Sequence, residues 1–262
     1  MKTYRARKAI CCSLVFCLLT CFEASAGEPL RVFFLRHAEG GHNVMNEWKS
    51  KPKSEWPSFV GNADAFTPKG EAQVAGATKT LEAMKFDFIA VSPLWRARNT
   101  ILPYLKSKNA RAEIWPELTE TRSTGSAAAK DLPPPSAKLF KGAEDLKIPD
   151  EEAGFFALRE DGRQALKGGG NDVAQATSDA IALSEKAARL LRERFANSGK
   201  TILLVGHGNA GVTLIRILTG SPAPALNNAS LWMAEEQPDG SFQLKILNSE
   251  PFSQNPKESS GR

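Results

Sequence analysis

Two histidines and two arginines are the side chains of this 262-residue chain that are best suited to chemistry. His37 and His207 each come just after a short apolar run, and Arg36 and Arg96 lie in equivalent places. A neutral imidazole can act as a nucleophile or donate a hydrogen bond, and a guanidinium group matches the geometry of phosphate oxygens. Each histidine alone could be a capping or core residue. The four residues together predict a site that holds a tetrahedral dianion.

These side chains can meet only if the apolar runs before them are neighbouring strands of one sheet. Four such runs are bounded by Pro, Gly or polar residues, at residues 30–35, 86–91, 112–115 and 201–205. They alternate with helical patterns, which is typical of βα units with a largely parallel sheet. Ligands bind outside the carboxyl ends of parallel strands, so we expect both histidines at one edge of the sheet. Two further strands, at 230–234 and 242–247, flank the hairpin signal Asp239-Gly240.

Helix signals fall between the predicted strands. Thr67-Pro68 offers a cap and a proline at the first helical position, and Ser92-Pro93 repeats the device. We expect Pro103 to bend or end the second of these helices. The remaining helices are predicted over residues 173–195 and 209–219, the second with Gly220 as its stop signal.

The pattern lapses between residues 120 and 170, which contain runs of three prolines and three glycines. Only weak helical patterns occur there, near residues 136–146 and 151–166. Inside a compact domain, so long an irregular segment is more often a lid or excursion than a linker, although a split into two domains is the alternative. We therefore predict one α/β domain, a mostly parallel central sheet sandwiched by helices, with an insertion of about residues 121–171 after Glu120.

Five short motifs, in this order, resemble those of the histidine phosphatase superfamily, in its RHG-motif, phosphoglycerate mutase-like branch. They are RHAE at residues 36–39 with Asn43, TPKGEAQ at 67–73, SPLWRA at 92–97 with Thr100, LTE at 118–120 and VGHG at 205–208. Five motifs in the family's order are far more specific than any one of them. The resemblance implies the phosphoglycerate mutase-like fold.

The resemblance also implies a covalent mechanism that needs neither a metal nor a cofactor. His37 would attack phosphorus, and Glu120 would protonate the leaving oxygen and then activate water. His207 would be a third catalytic residue, which with the arginines holds the phosphoryl oxygens. The residues that would bind the phosphorylated substrate are Arg36, Asn43 and Arg96. Glu117 is the alternative acid, because a helical turn would present it on the same side as Glu120. The implied activity is that of a histidine acid phosphatase-like hydrolase of phosphate monoesters.

One departure from the family pattern leaves a second function open. Ala38 stands where the motif usually has glycine, which adds a methyl group where the backbone approaches phosphate. A non-catalytic phosphate-binding module of the same fold is therefore one alternative, and a phosphomutase is another. The motif of the phytase-like branch is absent.

Two residues close in sequence to the proposed site residues are not expected to belong to the site. His42 lies five positions after His37, which is not a known metal-ligand spacing, so a zinc site with Glu39 is not favoured and His42 is predicted at the pocket rim or surface. Arg98 is the better candidate than Arg96 for a solvated helix charge.

The first 26 residues resemble an export signal. A basic start is followed by an apolar run at residues 9–22 and by Ala24-Ser25-Ala26, a small-x-small cleavage pattern, so we expect cleavage before Gly27. The run is shorter than the ~20 residues that span a bilayer. A retained anchor and lipoprotein processing at Cys21 are the alternatives. All the cysteines lie in this segment, at Cys11, Cys12, Cys17 and Cys21.

Composition and charge exclude several classes of protein. With 42% hydrophobic and 24% charged residues, the chain is neither disordered nor collagen-like. The net charge of +5 falls to +2 without residues 1–26, which hold four basic residues and one acidic residue, so no nucleic-acid partner is indicated. We expect an exported enzyme, periplasmic or secreted, with a small phosphorylated substrate or phosphopeptide and no membrane contact after signal cleavage.

Overall fold

The structure is a computed structural model that describes residues 28–120, 146, 148–159 and 173–252. The predicted export signal and the helical pattern near residues 136–146, except Leu146, lie outside these ranges. None of the helices in the described ranges has the length and apolar character needed to cross a membrane.

Eight strands of the described chain form one sheet in the order β4-β3-β2-β5-β1-β6-β7-β8. Their bounds are β1 Arg31–Arg36, β2 Phe88–Val91, β3 Ala112–Ile114, β4 Phe156–Leu158, β5 Thr201–Gly206, β6 Leu231–Glu236, β7 Phe242–Leu247 and β8 Glu250–Pro251. The pairs from β4 to β1 are parallel, and the last three strands add antiparallel pairs. The prediction of a mostly parallel sheet is confirmed, as is the β6–β7 hairpin.

Six α-helices accompany the sheet within the described residues. They are α1 Met45–Trp48, α2 Pro68–Glu82, α3 Trp95–Lys108, α4 Asp150–Ala153, α5 Val173–Phe195 and α6 Gly208–Thr219. Thr67 caps α2 as predicted, because its hydroxyl accepts the Gly70 N–H at 2.9 Å. Gly220 ends α6 in the left-handed conformation, with φ of 67°.

The start of α3 differs from the prediction. The helix begins at Trp95 after Leu94, and no side chain caps it. The Ser92 hydroxyl contacts His207 instead, so the expectation that Ser92-Pro93 opens the helix is wrong. Pro103 lies inside α3, which continues to Lys108.

Hydrophobic residues are buried on both faces of the sheet. Successive residues of β1 alternate, so that Phe34 joins a core with α5 and α6, and Leu35 joins a core with α2 and α3. Leu203 and Leu204 of β5 alternate in the same way. The sheet is therefore sandwiched by helices, as predicted.

The insertion contributes a strand that the sequence did not predict. The helical pattern predicted over 151–166 ends after α4, and β4 pairs in parallel with β3 at the sheet edge. Phe156 is buried there against the core of α2 and α3, so long-range pairing overrides the local helical pattern.

Arg98 attaches the insertion to α3. Its guanidinium donates to the carbonyl oxygens of Pro93 at 3.1 Å and Leu146 at 3.2 Å, and it lies 3.9 Å from Glu152. The Arg98 side chain is buried, so the prediction that it is a solvated charge is wrong. The reason is tertiary: the insertion covers this side of α3.

Candidate active site

The register of β1 and β5 places the two histidines side by side. Arg36 pairs with Gly206 at the ends of the two parallel strands, and His37 and His207 are the next residues. The His37 N–H donates to the Gly206 carbonyl at 2.9 Å. The two imidazole rings lie 5.1 Å apart between centroids, and both side chains are fully buried. The expected placement at one sheet edge is observed.

His37 presents one nitrogen that is ready to form a bond. Its Nδ1 lies 2.7 Å from the Ala38 carbonyl oxygen, which can only accept, so Nδ1 carries the proton. Nε2 then keeps its lone pair, and within the described residues this buried atom has no hydrogen-bond partner. A neutral imidazole with an unused lone pair is what nucleophilic catalysis requires.

Burial and neighbouring guanidiniums keep both histidines neutral. Burial and, after it, Arg96 lower the pKa of His37 well below its usual value. The Ala38 hydrogen bond raises that pKa, and Arg36 lowers it by a smaller amount. Burial, Arg96 and His37 likewise lower the pKa of His207. The same positive charges that disfavour an imidazolium favour a bound anion.

The two arginines beside the histidines come from different elements, a helix and a strand. Arg96 lies in the first turn of α3 and is almost fully buried. Arg36 ends β1, donates to the Leu226 carbonyl, and packs against Gly208 at the start of α6. A Cβ at position 208 would lie 3.3 Å from the Arg36 guanidinium, so glycine leaves room for this side chain. The α6 N-terminus adds backbone N–H groups and a positive dipole end to the same edge.

Glu120 joins this group, whereas Glu117 does not. One Glu120 carboxylate oxygen lies 3.6 Å from His207 Nδ1 and 4.0 Å from an Arg96 nitrogen. The Glu117 side chain is fully buried and pairs with Arg159 at 2.8 Å and Lys186 at 3.1 Å. We call these last three residues the ion cluster.

The two glutamates diverge because the helical turn between them is short. A 3₁₀ helix covers Pro116–Leu118, and Thr119 is extended, with ψ of 152°. The backbone therefore changes direction before Glu120, and the expectation that one helical turn presents both carboxylates together is wrong.

The donor atoms at this edge suit an anion better than a cation. His37, Glu120 and His207 could each offer one ligand atom to a metal ion, and these atoms lie within 4.8 Å of one another. However, Arg96 lies beside the same carboxylate, and the charges of Arg96 and Arg36 act on both imidazoles. A metal ion would sit next to these positive charges, whereas a phosphoryl group would neutralise them.

The loop after β1 borders the site. The side-chain amide oxygen of Asn43 accepts the Gly40 N–H at 3.0 Å, so this predicted substrate-binding residue holds the loop in shape. Asn228 donates to the His37 carbonyl at 3.0 Å and lies 3.5 Å from Asn43. Asn228 was not predicted, because only the long-range pairing of β1 with β6 brings it here.

His42 lies closer to the centre of the site than its sequence position suggests. Its ring centroid is 5.5 Å from that of His37. Burial, Arg96 and Arg36 lower the pKa of His42 to about 3. The residue is therefore a neutral neighbour of the proposed nucleophile, rather than a surface side chain. The only sequence signal for this placement is its position beside Asn43.

Ala38 fits the backbone of this motif. It is fully buried, its N–H donates to the Thr100 hydroxyl at 2.9 Å, and its φ does not lie in the left-handed region. Thr100 in turn donates to the Arg96 carbonyl at 2.7 Å. Alanine in place of the family's usual glycine therefore requires no strained conformation.

Comparison with known proteins agrees with this geometry. Residues 32–134 match the model of the histidine phosphatase superfamily (branch 1). This match confirms the family resemblance of the sequence motifs. No curated protein matches the sequence significantly.

Solved structures with the same fold include three phosphatases. A mycobacterial glucosyl-3-phosphoglycerate phosphatase bound to VO3 is 16% identical with a TM-score of 0.52, over 84% of this chain and 99% of that one. A putative α-ribazole-5′-P phosphatase from Escherichia coli is 20% identical with a TM-score of 0.52, over 86% and 99%. A mutant phosphoserine phosphatase from Entamoeba histolytica in complex with phosphoserine is 20% identical with a TM-score of 0.52, over 84% and 97%. These similarities show the phosphoglycerate mutase-like fold.

Proposed function

We propose that this protein is an exported phosphatase that hydrolyses a phosphate monoester through a phosphohistidine on His37. The observation that carries the proposal is the buried Nε2 lone pair of His37, which has no partner among the described residues and lies beside the charges of Arg36 and Arg96. The match to the histidine phosphatase superfamily supports the reaction class.

In the first step, the Nε2 lone pair of His37 attacks phosphorus. The N–P bond forms as the bond between phosphorus and the ester oxygen breaks, and the carboxyl group of Glu120 gives its proton to that leaving oxygen. Arg36, Arg96 and the His207 imidazole hold the phosphoryl oxygens. Each fixed donor to a developing negative charge is worth about 2.7–4 kcal/mol in the transition state.

In the second step, water removes the phosphoryl group from His37. The Glu120 carboxylate takes a proton from water as the water oxygen bonds to phosphorus and the P–N bond breaks. Inorganic phosphate leaves, and both residues return to their starting protonation states. The side chain of Glu120 is 27% exposed, so it can exchange protons with solvent, whereas that of Glu117 is sealed.

Rapid quenching tests the covalent step. The protein is mixed with a ³²P-labelled aryl phosphate and denatured within milliseconds to seconds. Acid-labile, alkali-stable label is expected on His37, because a phosphoramidate hydrolyses once its nitrogen is protonated. His37→Ala should abolish label and turnover. His207→Ala should slow both strongly, yet leave residual label on His37.

Other outcomes would overturn the proposal. Label on His207 or on a serine, or full turnover in His37→Ala, would exclude the mechanism. Transfer of label to an added phosphate acceptor instead of water would indicate a phosphomutase. Tight binding of phosphate without any turnover would indicate a binding module.

The exported location is a separate part of the proposal. It rests on the basic and apolar residues of the first 26 positions and on Ala24-Ser25-Ala26. N-terminal sequencing of the native protein should begin at Gly27. A mature chain that retains Met1 would overturn export by cleavage, and lipid on Cys21 would place the enzyme on a membrane surface.

A further inference from the structure

Ser92 makes a buried contact that the proposed mechanism does not yet use. It follows β2, its side chain is fully buried, and its N–H donates to the Val205 carbonyl at 2.8 Å. Its hydroxyl oxygen lies 2.7 Å from His207 Nε2 and accepts the Leu94 N–H at 3.3 Å. Backbone hydrogen bonds therefore fix both the main chain and the hydroxyl of Ser92.

We propose that Ser92 is a positioning residue that keeps His207 in the tautomer with its proton on Nδ1. This inference rests on the proposed function for its purpose, but the tautomer itself is a property of the free protein.

The hydrogen bond at the Nε2 end of the ring selects the tautomer. A serine hydroxyl has one proton to donate, and among the described residues its only neighbour able to accept that proton is His207 Nε2. At the other end, Nδ1 lies 3.6 Å from the Glu120 carboxyl group, so among the described residues no hydrogen bond at Nδ1 opposes this choice.

Because His207 is neutral, its tautomer decides which ring nitrogen can donate a hydrogen bond. Burial and the nearby Arg96 lower its pKa well below the usual value, so the ring carries a single N–H. The opposite tautomer would turn a lone pair toward the phosphoryl oxygens and Glu120. With the proton on Nδ1, His207 donates to the negative charge that develops in the transition state. In metal sites, mutating the residue that forms a hydrogen bond with a ligating histidine typically lowers metal affinity or activity 10–100-fold.

Nitrogen NMR of histidine-labelled protein tests the tautomer directly. The chain has three histidines, so the spectrum is simple, and His207→Asn and His42→Gln assign it. In the native protein, we expect His207 to show a protonated Nδ1 and an unprotonated Nε2. A proton on Nε2 in the native protein would overturn the proposal without any mutation.

A matched pair of variants links the tautomer to turnover. Ser92→Ala removes the donor, so we expect Nε2–H to become populated and kcat to fall about 10–100-fold, with Ser92→Thr retaining the native tautomer. Ser184→Ala is the control, because Ser184 is equally buried and its hydroxyl has no partner among the described residues. It should leave the tautomer unchanged and kcat within about twofold.

The outcomes separate this proposal from the proposed function. A fall in kcat for Ser92→Ala with the His207 tautomer unchanged would overturn the positioning role and leave the phosphatase proposal intact. A change of tautomer in Ser92→Ala, in a protein that hydrolyses no phosphate monoester, would support the positioning role and overturn the phosphatase proposal.

Discussion

Glu117 and Glu120 are three residues apart, yet they belong to two regions in which the charges are paired differently. Glu120 lies at what we call the catalytic edge, which comprises Arg36, His37, Arg96, Glu120 and His207. Glu117 lies in the ion cluster with Arg159 and Lys186. Both regions gather positive charges around one carboxylate, but the Glu117 carboxylate pairs closely with its cations, at 2.8 and 3.1 Å, whereas the Glu120 carboxylate lies 4.0 Å from Arg96.

In the ion cluster, the carboxylate forms close ion pairs with both cations. One Glu117 oxygen contacts both Arg159, which follows β4, and Lys186 on α5. The carboxylate therefore ties the insertion and α5 to the turn before Glu120. The role of this carboxylate is therefore structural.

At the catalytic edge, the buried Nε atoms of Arg36 and Arg96 and the Nε2 of His37 have no partner among the described residues. Unpartnered buried polar groups are costly, so their presence in a group points to a ligand that satisfies them. The comparison teaches that mutual pairing distinguishes structural charges from charges arranged for an anion. Four predictions test this distinction.

The largest effect is expected for Glu120→Gln. The amide keeps the shape and removes the transferable proton, so turnover of substrates with poor leaving groups should fall by about 10²–10⁴. Steady-state kinetics with an alkyl and a nitrophenyl phosphate measure the effect, which should be smaller for the nitrophenyl ester because its leaving oxygen needs little protonation. Glu117→Gln should leave the ratio of the two rates unchanged. If Glu117→Gln shows the loss instead, the two roles are exchanged.

The next effect is on stability and belongs to Glu117. Glu117→Gln removes the buried charge that Arg159 and Lys186 contact, so the free energy of unfolding should fall by about 3 kcal/mol, the lower end for breaking a buried ion pair. Urea unfolding measures this loss. Lys186→Met is the matched control and should cost less than about 1 kcal/mol, because the Lys186 side chain is 34% exposed. Equal losses in the two variants would contradict the ion cluster's structural role.

Acid should destabilise the protein through His42, which lies beside the catalytic edge. His42, whose pKa is lowered to about 3, stays neutral in the native state, whereas in the unfolded chain it binds a proton below about its usual value of 6.5. The unfolded state then holds the extra proton, so the free energy of unfolding falls as pH decreases, by about 1.4 kcal/mol per pH unit for each such histidine. Urea unfolding between about pH 6.5 and 5 measures how the free energy of unfolding depends on pH. In His42→Gln, this dependence should be weaker by the contribution of one proton. An unchanged slope would mean that His42 is protonated in the native protein.

The smallest effect is expected for Ala38→Gly. Because Ala38 has no left-handed backbone to relieve, glycine adds freedom to the unfolded chain and removes a buried methyl group, and it should lower the free energy of unfolding by about 1 kcal/mol. Turnover should stay within about twofold of the native value. A tenfold rise in kcat would show instead that the Ala38 methyl group obstructs the bound phosphate.

The features that the sequence predicted depend on local patterns. Apolar runs define β1, β2 and β5, and a cap with a proline defines the start of α2. Because parallel strands end at a common edge, the positions of His37 and His207 after β1 and β5 were sufficient to predict that they meet. The family motifs placed Arg36, Arg96 and Glu120 in the same group.

Other features were decided only by the tertiary structure: the strand β4 and the orientations of Arg98 and Ser92. β4 requires β3 as a partner, and its three residues carry no strand signal of their own. Arg98 is buried by the insertion, and Ser92 turns from the expected cap toward His207. Each outcome depends on a contact between residues distant in the chain, where the energy of packing and pairing exceeds the local preference, and a one-dimensional pattern does not contain such contacts.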